Sequence, residues 1–306
     1  MPWFNLVAIP QWYMEGLKHY GHQGYANARK TWADPDMDKQ RDLSGKHYIV
    51  TGSNSGIGFA TAEALAKRKA IVHMVCRNEE RANEARDKIV EAAKEAGVDA
   101  PNVQVHLADF GSMESVRAFG EKFAQENDVL HALINNAGAL FKEETRTALG
   151  VELSMAVSMS GSFLLTGLLL PLLKKAPKGR VVSVSSGGQY LVGLDAHDLA
   201  GKARTGAVYD GAAAYAYAKR AQVELTSHWA KHPAGKGVIF HSMHPGWAKT
   251  PGVATSLDDF SNGLFWLDRS EVRTDMRLAF TKASDSDRET LWKECEKLCG
   301  WSPSNV

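Results

Sequence analysis

Residues 46–58, KHYIVTGSNSGIG, constrain this chain more than any other stretch, because an apolar run breaks into a glycine loop and reopens as a helix. Tyr48, Ile49 and Val50 have the aromatic and β-branched character of a buried strand. Thr51, Gly52, Ser53, Asn54, Ser55, Gly56, Ile57 and Gly58 then form the turn into a helix expected over 59–69. Gly52 permits a sharp turn, Gly56 permits close approach of the backbone to a ligand, and Gly58 lets the helix lie close on the strand. A helix N-terminus at that point offers unpaired N–H groups to a phosphate. Glycine loops also serve as plain turns, so the loop by itself leaves both nucleotide binding and simple chain reversal open.

Charge and cysteine content exclude several function classes. A net charge of +1 over 306 residues provides no basic field for nucleic acid. Cys76, Cys295 and Cys299 form no C-x-x-C pair and leave one thiol over, which fits a reducing compartment and neither a disulfide framework nor a zinc site. His228 and His232 stand four apart, as metal ligands can, but no third ligand cluster or H-E-x-x-H accompanies them; they are read as helix-surface residues and no metal is expected. Residues 153–173 are uncharged and long enough to cross a bilayer. Ser154, Ser158, Ser160, Gly161, Ser162, Thr166, Gly167 and Pro171 interrupt them, and they lie where a crossover helix is needed, so a buried or dimer-interface helix is expected. The N-terminus lacks the basic n-region and long apolar core of a cleavable signal peptide, and a cytoplasmic location is expected from these absences.

Strand and helix signals alternate along the chain. Strands are expected at 70–76 (AIVHMVC), 103–107, 130–134, 180–184 and 237–243, with helices at 78–95, 112–125, 149–175 and 213–230. The architecture implied is α/β: one doubly wound parallel sheet with helices on both faces, three αβα layers joined by right-handed crossovers. The size suits one domain, placed at 46–285, followed by a C-terminal helix and tail at 286–306. Residues 1–45 form an aromatic helical extension in which Ile9, Trp12, Tyr13, Leu17 and Tyr20 recur at helical spacing and make one amphipathic face. That face is expected to pack back on the domain; peripheral contact with a membrane is the alternative.

Further motifs follow the loop in a fixed order: Asn135, Asn136, Ala137 and Gly138 after the fourth strand, VVSVSS at 181–186, Tyr215 and Lys219 on a helix, and Pro245 and Gly246 after the sixth strand. Tyr215 and Lys219, four apart, share one helix face, where an ammonium favours phenolate and is expected to lower the phenol pKa from about 10 toward neutrality. Tyr217 has only Ala221 at that spacing. Arg77 follows the second strand where an acidic residue would bind the ribose 2′-OH of NAD; a cation there can pair with a 2′-phosphate and favours NADP(H), with NAD(H) the alternative.

Together these motifs resemble the short-chain dehydrogenase/reductase superfamily over nearly the whole chain, with its T-G-x-x-x-G-x-G, N-N-A-G, Y-x-x-x-K and P-G patterns. The resemblance implies a Rossmann-type fold and an enzyme in which Ser186 hydrogen-bonds a substrate carbonyl, with Ser185 as the alternative serine. It implies that Lys219 holds the nicotinamide ribose while Tyr215 protonates the oxygen as hydride arrives at carbon. It also places Asp109 beside the adenine and Thr250 at the nicotinamide carboxamide, and makes the glycine loop, the N-N-A-G turn and the Pro245–Gly246 turn parts of the cofactor site.

Two departures from the family stand out. Its helix asparagine, three residues before Gly161, is replaced by Ser158, which reaches less far than an amide. Between Thr250 and a seventh strand expected at 263–267, only residues 251–262 remain where relatives carry a substrate lid and a full covering helix. The resemblance implies a lipophilic ketone, aldehyde or alcohol as substrate, with Trp247, Leu257 and Phe260 near its pocket. The rival expectation is a catalytically silent dinucleotide-binding protein acting as partner or sensor. The apolar helices at 153–173 and 213–230 suggest a homo-oligomer paired through helices.

Overall fold

The computed structural model describes residues 2–34, 41–141, 143–199, 209–246, 265–267, 270–275 and 281–305. Helices α1 (Pro2–His19) and α2 (His22–Arg29) precede a sheet that begins with β1 (His47–Thr51). The alternation then runs through α3 (Gly56–Ala66), β2 (Ile71–Cys76), α4 (Glu79–Glu95), β3 (Asn102–Leu107), α5 (Met113–Glu126) and β4 (Ala132–Asn135). A long crossover helix follows, built of α6 (Leu153–Met155), a π-helical turn (Ala156–Ser160) and α7 (Gly161–Lys175). The chain continues with β5 (Arg180–Val184), α8 (Gly211–Lys231), β6 (Ile239–Met243), β7 (Phe265–Leu267), β8 (Ser270–Val272) and α9 (Asp285–Cys299).

The sheet order is β3-β2-β1-β4-β5-β6-β7-β8, parallel from β3 to β7, with β8 antiparallel at the edge. The order reverses between β1 and β4, so the C-terminal ends of these strands open the crevice in which doubly wound sheets bind ligands. The doubly wound expectation holds, and the short antiparallel β8 is an addition to it. The seventh strand forms as expected, beside β6, while the residues 251–262 that lead to it lie outside the described residues.

Helix starts are fixed by caps: the Asn78 side chain accepts from Arg81 N–H, that of Ser112 from Ser115 N–H, and Ser284 with Asp287 forms a capping box at α9. The 153–175 helix is long and apolar enough to cross a membrane, yet 83% of its most apolar window is buried inside the protein. Its neighbours explain this. Phe163 meets Trp229, Trp292 and Trp301, and Leu291, Cys295 and Cys299 of α9 join the same core. The helices expected to pair between copies are therefore buried by their own chain: α9 packs on both α7 and α8.

The amphipathic face of α1 divides. Trp12 donates from Nε1 to Gly187 O at 2.8 Å, and Tyr20 is buried with its ring 4.4 Å from that of His244. Ile9, Tyr13 and Leu17 stay exposed, together with Met14. The docked stripe is Trp12, Gly16 and Tyr20 at i, i+4 and i+8, one edge of the expected face; the other edge lies outside the contact.

Candidate active site

The glycine loop follows β1 at the point where the strand order reverses. Gly52 has φ +64° and Gly56 φ +56°, conformations that favour glycine, and Gly56 has open space where a side chain would be. At Gly58 a Cβ would meet Gly52 O at 2.4 Å, so the close contact of helix and strand needs glycine here. Ser55, the N-cap of α3, makes no side-chain capping bond, so the first-turn N–H groups of α3 are not occupied by their own cap. Ser55 and Gly56 are exposed, Asn54 and Ile57 half-buried, and Ser53 buried with its Oγ 3.5 Å from Cys76 Sγ. Arg77, exposed, leaves β2 immediately beyond that cysteine, which brings a cation to the glycine-loop edge of the sheet. These features fit the pyrophosphate and ribose of a dinucleotide.

The N-N-A-G turn holds the loop in place. Asn136 Nδ2 donates to Thr51 O at 2.8 Å and Gly52 O at 3.2 Å, while Thr51 Oγ1 accepts from the N–H groups of Asn136 and Ala137. Asn135 is buried, and its Nδ2 donates to Thr166 Oγ1 at 3.1 Å. Asp109 uses Oδ1 to accept from Gly111 N–H at 2.9 Å, at the end of β3. Thr250, Trp247, Leu257 and Phe260 lie outside the described residues. Gly246, at φ +74°, donates its N–H to His244 Nδ1 at 3.1 Å and turns the chain after Pro245.

A 3₁₀ turn, Gly187–Leu191, capped by Ser186, folds back on α8, with Gly188 facing Ala216, the residue after Tyr215. Ser185 and Ser186 part company there. Ser185 is buried and donates to Lys219 O at 3.0 Å, which fixes β5 to α8; Ser186 is half-buried and accepts only a long bond, 3.3 Å, from Gly188 N–H among the described residues. Lys219 is 2% exposed, donates from Nζ to Val184 O at 2.8 Å and Gln222 Oε1 at 3.2 Å, and lies 5.5 Å from the centroid of the Tyr215 ring. A Cβ on Gly138 would sit 2.8 Å from Lys219 Nζ and 3.0 Å from Ser158 Oγ, so this glycine makes room for the lysine, and Ser158 reaches the same spot. Ser158 sits in the π turn, with its Oγ buried and without a hydrogen-bond partner.

Burial changes the electrostatics from the sequence expectation. Lys219 is pushed down to about 7 by burial, and no carboxylate among the described residues offsets the loss of water around it. The Tyr215 phenol is shifted up rather than down, again by burial. The reason is geometric: the ammonium is directed at a backbone carbonyl and an amide oxygen, and a lysine that itself titrates near neutrality attracts phenolate only while it keeps its proton.

His228 and His232 take a packing role. The His232 ring stacks on Trp292 at 4.3 Å, and His228 lies 3.6 Å from Glu289 while facing the same indole, so they are part of the α8–α9 contact rather than free surface. Sequence reading overlooked Gln222 altogether; its position three after Lys219 on a helix was the available signal.

Comparison with known proteins agrees with this geometry. Residues 46–195 match the short chain dehydrogenase family. The chain is 36% identical to human dehydrogenase/reductase SDR family member 12 over 94% of its own length and 96% of that protein. It is 40% identical to human retinol dehydrogenase 12, covering 74% of this chain and 69% of the relative. A short chain dehydrogenase from Shigella flexneri 2A, solved in complex with NADP, superposes with a TM-score of 0.52 at 25% identity, over 68% of this chain and 80% of that one. The chain therefore belongs to the short-chain dehydrogenase/reductase family, oxidoreductases that act on CH–OH groups with a nicotinamide dinucleotide.

Proposed function

We propose that this protein is an NADP(H)-dependent reductase and dehydrogenase that interconverts a lipophilic ketone or aldehyde with its alcohol. The observation that carries the reading is Lys219, fully buried beside Tyr215 with only neutral hydrogen-bond partners among the described residues. Desolvating a cation without a counter-ion is costly, and such sites are where catalytic groups are tuned. Arg77 supports NADP(H), as does the NADP complex of the Shigella relative. The lipophilic substrate class is supported by the retinol dehydrogenase relatives.

In this reading the first-turn N–H groups of α3 and the loop from Asn54 to Gly56 hold the pyrophosphate, and Arg77 holds a 2′-phosphate. Asn136 keeps the loop in register from behind, and Asn135, Ala137 and Gly138 shape the floor of the cofactor cleft, with Asp109 at the adenine end. Pro245 and Gly246 turn the chain at the nicotinamide end. The bound nicotinamide supplies or accepts the hydride. Ser186 Oγ donates to the carbonyl oxygen, and Tyr215 gives that oxygen its proton. Lys219, while charged, favours the phenolate that remains and contacts the ribose. Ser158 stands where the family's asparagine would be.

The exposed edge of α1, Ile9, Tyr13, Met14 and Leu17, supports peripheral contact of this helix with a lipid surface. Sedimentation of the full chain with liposomes is the expected result; full-length protein that stays in the supernatant refutes it.

The function is tested with the full chain by titrating NADPH and NADH against tryptophan fluorescence, followed by turnover of lipophilic aldehydes. Tighter binding of NADPH and measurable turnover are expected, with Tyr215→Phe losing about 10²- to 10⁴-fold in kcat at unchanged NADPH affinity. An active Tyr215→Phe overturns the mechanism. Binding without turnover of any carbonyl favours the silent dinucleotide-binding alternative.

A further inference from the structure

Behind Lys219, between β4, β5, α7 and α8, lies a cavity of about 20 Å³, room for one water molecule. Among its lining residues are Asn135, Ser162, Thr166, Gln222 and Thr226. Three of these leave a buried polar atom without a hydrogen-bond partner: Asn135 Oδ1, Ser162 Oγ and Gln222 Nε2. Each residue is at least nine-tenths buried. The Gln222 amide has its orientation fixed by the lysine, since Oε1 accepts from Lys219 Nζ and Nε2 is left over. Asn135 Nδ2 donates to Thr166 Oγ1, which leaves Oδ1 over.

These atoms are one donor, one acceptor and one hydroxyl that can be either. That is the set a single buried water satisfies, and left unpaired each would bear the cost of its lost hydration. The same amide that faces the water holds the lysine. We propose that Gln222 is a positioning residue for Lys219, and that with Asn135 and Ser162 it binds one buried water behind the lysine. This rests on the reductase reading above and deepens it: the support that the family draws from a helix asparagine, here Ser158, comes from α8 itself.

An amide neither gains nor gives a proton near neutral pH, so the chain Lys219–Gln222–water–Ser162 orients the ammonium without conducting protons. Among the described residues, the groups packed against Lys219 besides Gln222 are Tyr215 from α8, Val184 O from β5, Ser158 from the π turn and Gly138 from the N-N-A-G turn, of which the tyrosine alone titrates. A change of charge at 222 therefore acts on the lysine directly.

The test uses the full chain with Gln222→Glu and Gln222→Leu. Two readouts are followed: the alkaline limb of the pH profile of NADPH-dependent reduction, and the titration of Lys219 by the ¹³C shift of its Cε, assigned with Lys219→Met. Gln222→Glu places a carboxylate beside the ammonium and should move the Lys219 titration up by about one pH unit or more. Gln222→Leu removes an acceptor and should move it down, with kcat falling about tenfold and KM for NADPH changing far less. Shifts in opposite directions support the positioning role; no shift, or shifts in the same direction, overturn it. If Gln222→Leu does not fold, the sign of the glutamate shift decides alone. A wild type that reduces no carbonyl overturns the proposed function, whereas the Lys219 titration still decides the role of Gln222. For the water, a high-resolution crystal structure should show one ordered molecule bonded to Asn135, Ser162 and Gln222, and a dry cavity refutes it.

Discussion

Two consecutive residues of α8, Lys219 and Arg220, are both buried cations, and the chain treats them in opposite ways. Lys219 lies beside Tyr215 with a carbonyl, an amide and a phenol ring around it and no carboxylate among the described residues. Arg220, on the other side of the helix, is surrounded by acceptors. Its Nη1 donates to Gln189 Oε1 at 2.9 Å and to Thr274 O, and its Nη2 to Thr281 O. Nη2 also lies 2.6 Å from Glu224 Oε1, off the hydrogen-bond axis, while Glu224 Oε2 accepts from Arg288 Nε at 2.6 Å. Arg288 in turn reaches Asp285 at the start of α9. One cation is left uncompensated, so its charge is available to a reaction. The other is consumed in tying together the turn after β5, the segment after β8 and α9. A buried charge tolerated without a counter-charge points to function, and one matched by a carboxylate and backbone carbonyls points to architecture.

Breaking the paired side should have the larger effect. Glu224→Leu removes the carboxylate that Arg220 and Arg288 share and leaves a fully buried guanidinium uncompensated, a loss expected to be about 3–5 kcal/mol. Urea unfolding of the full chain measures it. A loss under about 1 kcal/mol would mean that the backbone carbonyls alone satisfy Arg220, and the contrast between the two cations would then rest on hydrogen bonds rather than charge. Most of the lost stability should concern the segment 270–275 and α9, where Arg220 and Tyr190 hold the backbone of Arg273, Thr274 and Thr281.

The same contrast explains how much of the molecule could be read from its sequence. Strand β5 was placed at its observed limits, and the other inner strands within a few residues, because short β-branched runs between turn residues have few alternatives. Tyr215 and Lys219 stand four apart on one helix, so spacing pairs them, whereas Ser186 and the glycine loop are joined to them in the sequence only by the order of motifs that the family resemblance supplies. What remained hidden depends on register and tertiary packing. Gln222 and Ser162 meet across a cavity between two helices. The imidazoles of His47, His73 and His106 join end to end at 3.0 Å on one face of the sheet because β1, β2 and β3 pair in a particular register. The upward shift of Tyr215 is hidden from the sequence for a related reason: four-residue spacing predicts that an ammonium is near, and burial decides how strongly it acts.

The unpaired side yields a smaller effect with the opposite sign. Lys219→Met replaces a desolvated, uncompensated cation by an apolar side chain of similar length, so the variant should be more stable than wild type at pH 7, by about 1–3 kcal/mol, while losing turnover. The pH dependence sharpens this. Burial holds the folded-state pKa of Lys219 at about 7, against 10.5 for a free lysine. Between these values the unfolded chain binds a proton that the folded chain does not, so the contribution of Lys219 to stability falls as pH drops from 10.5 and is lowest at and below about 7. The excess stability of Lys219→Met should therefore be largest near pH 7 and shrink as pH rises toward 10. The difference between the two unfolding curves isolates this residue, because the tyrosines and buried thiols that also titrate at high pH are common to both. A variant no more stable than wild type at pH 7 would show that Gln222 and Val184 O compensate the ammonium fully. The lysine would then be as structural as its neighbour, and the case for a site tuned by desolvation would lose its main support.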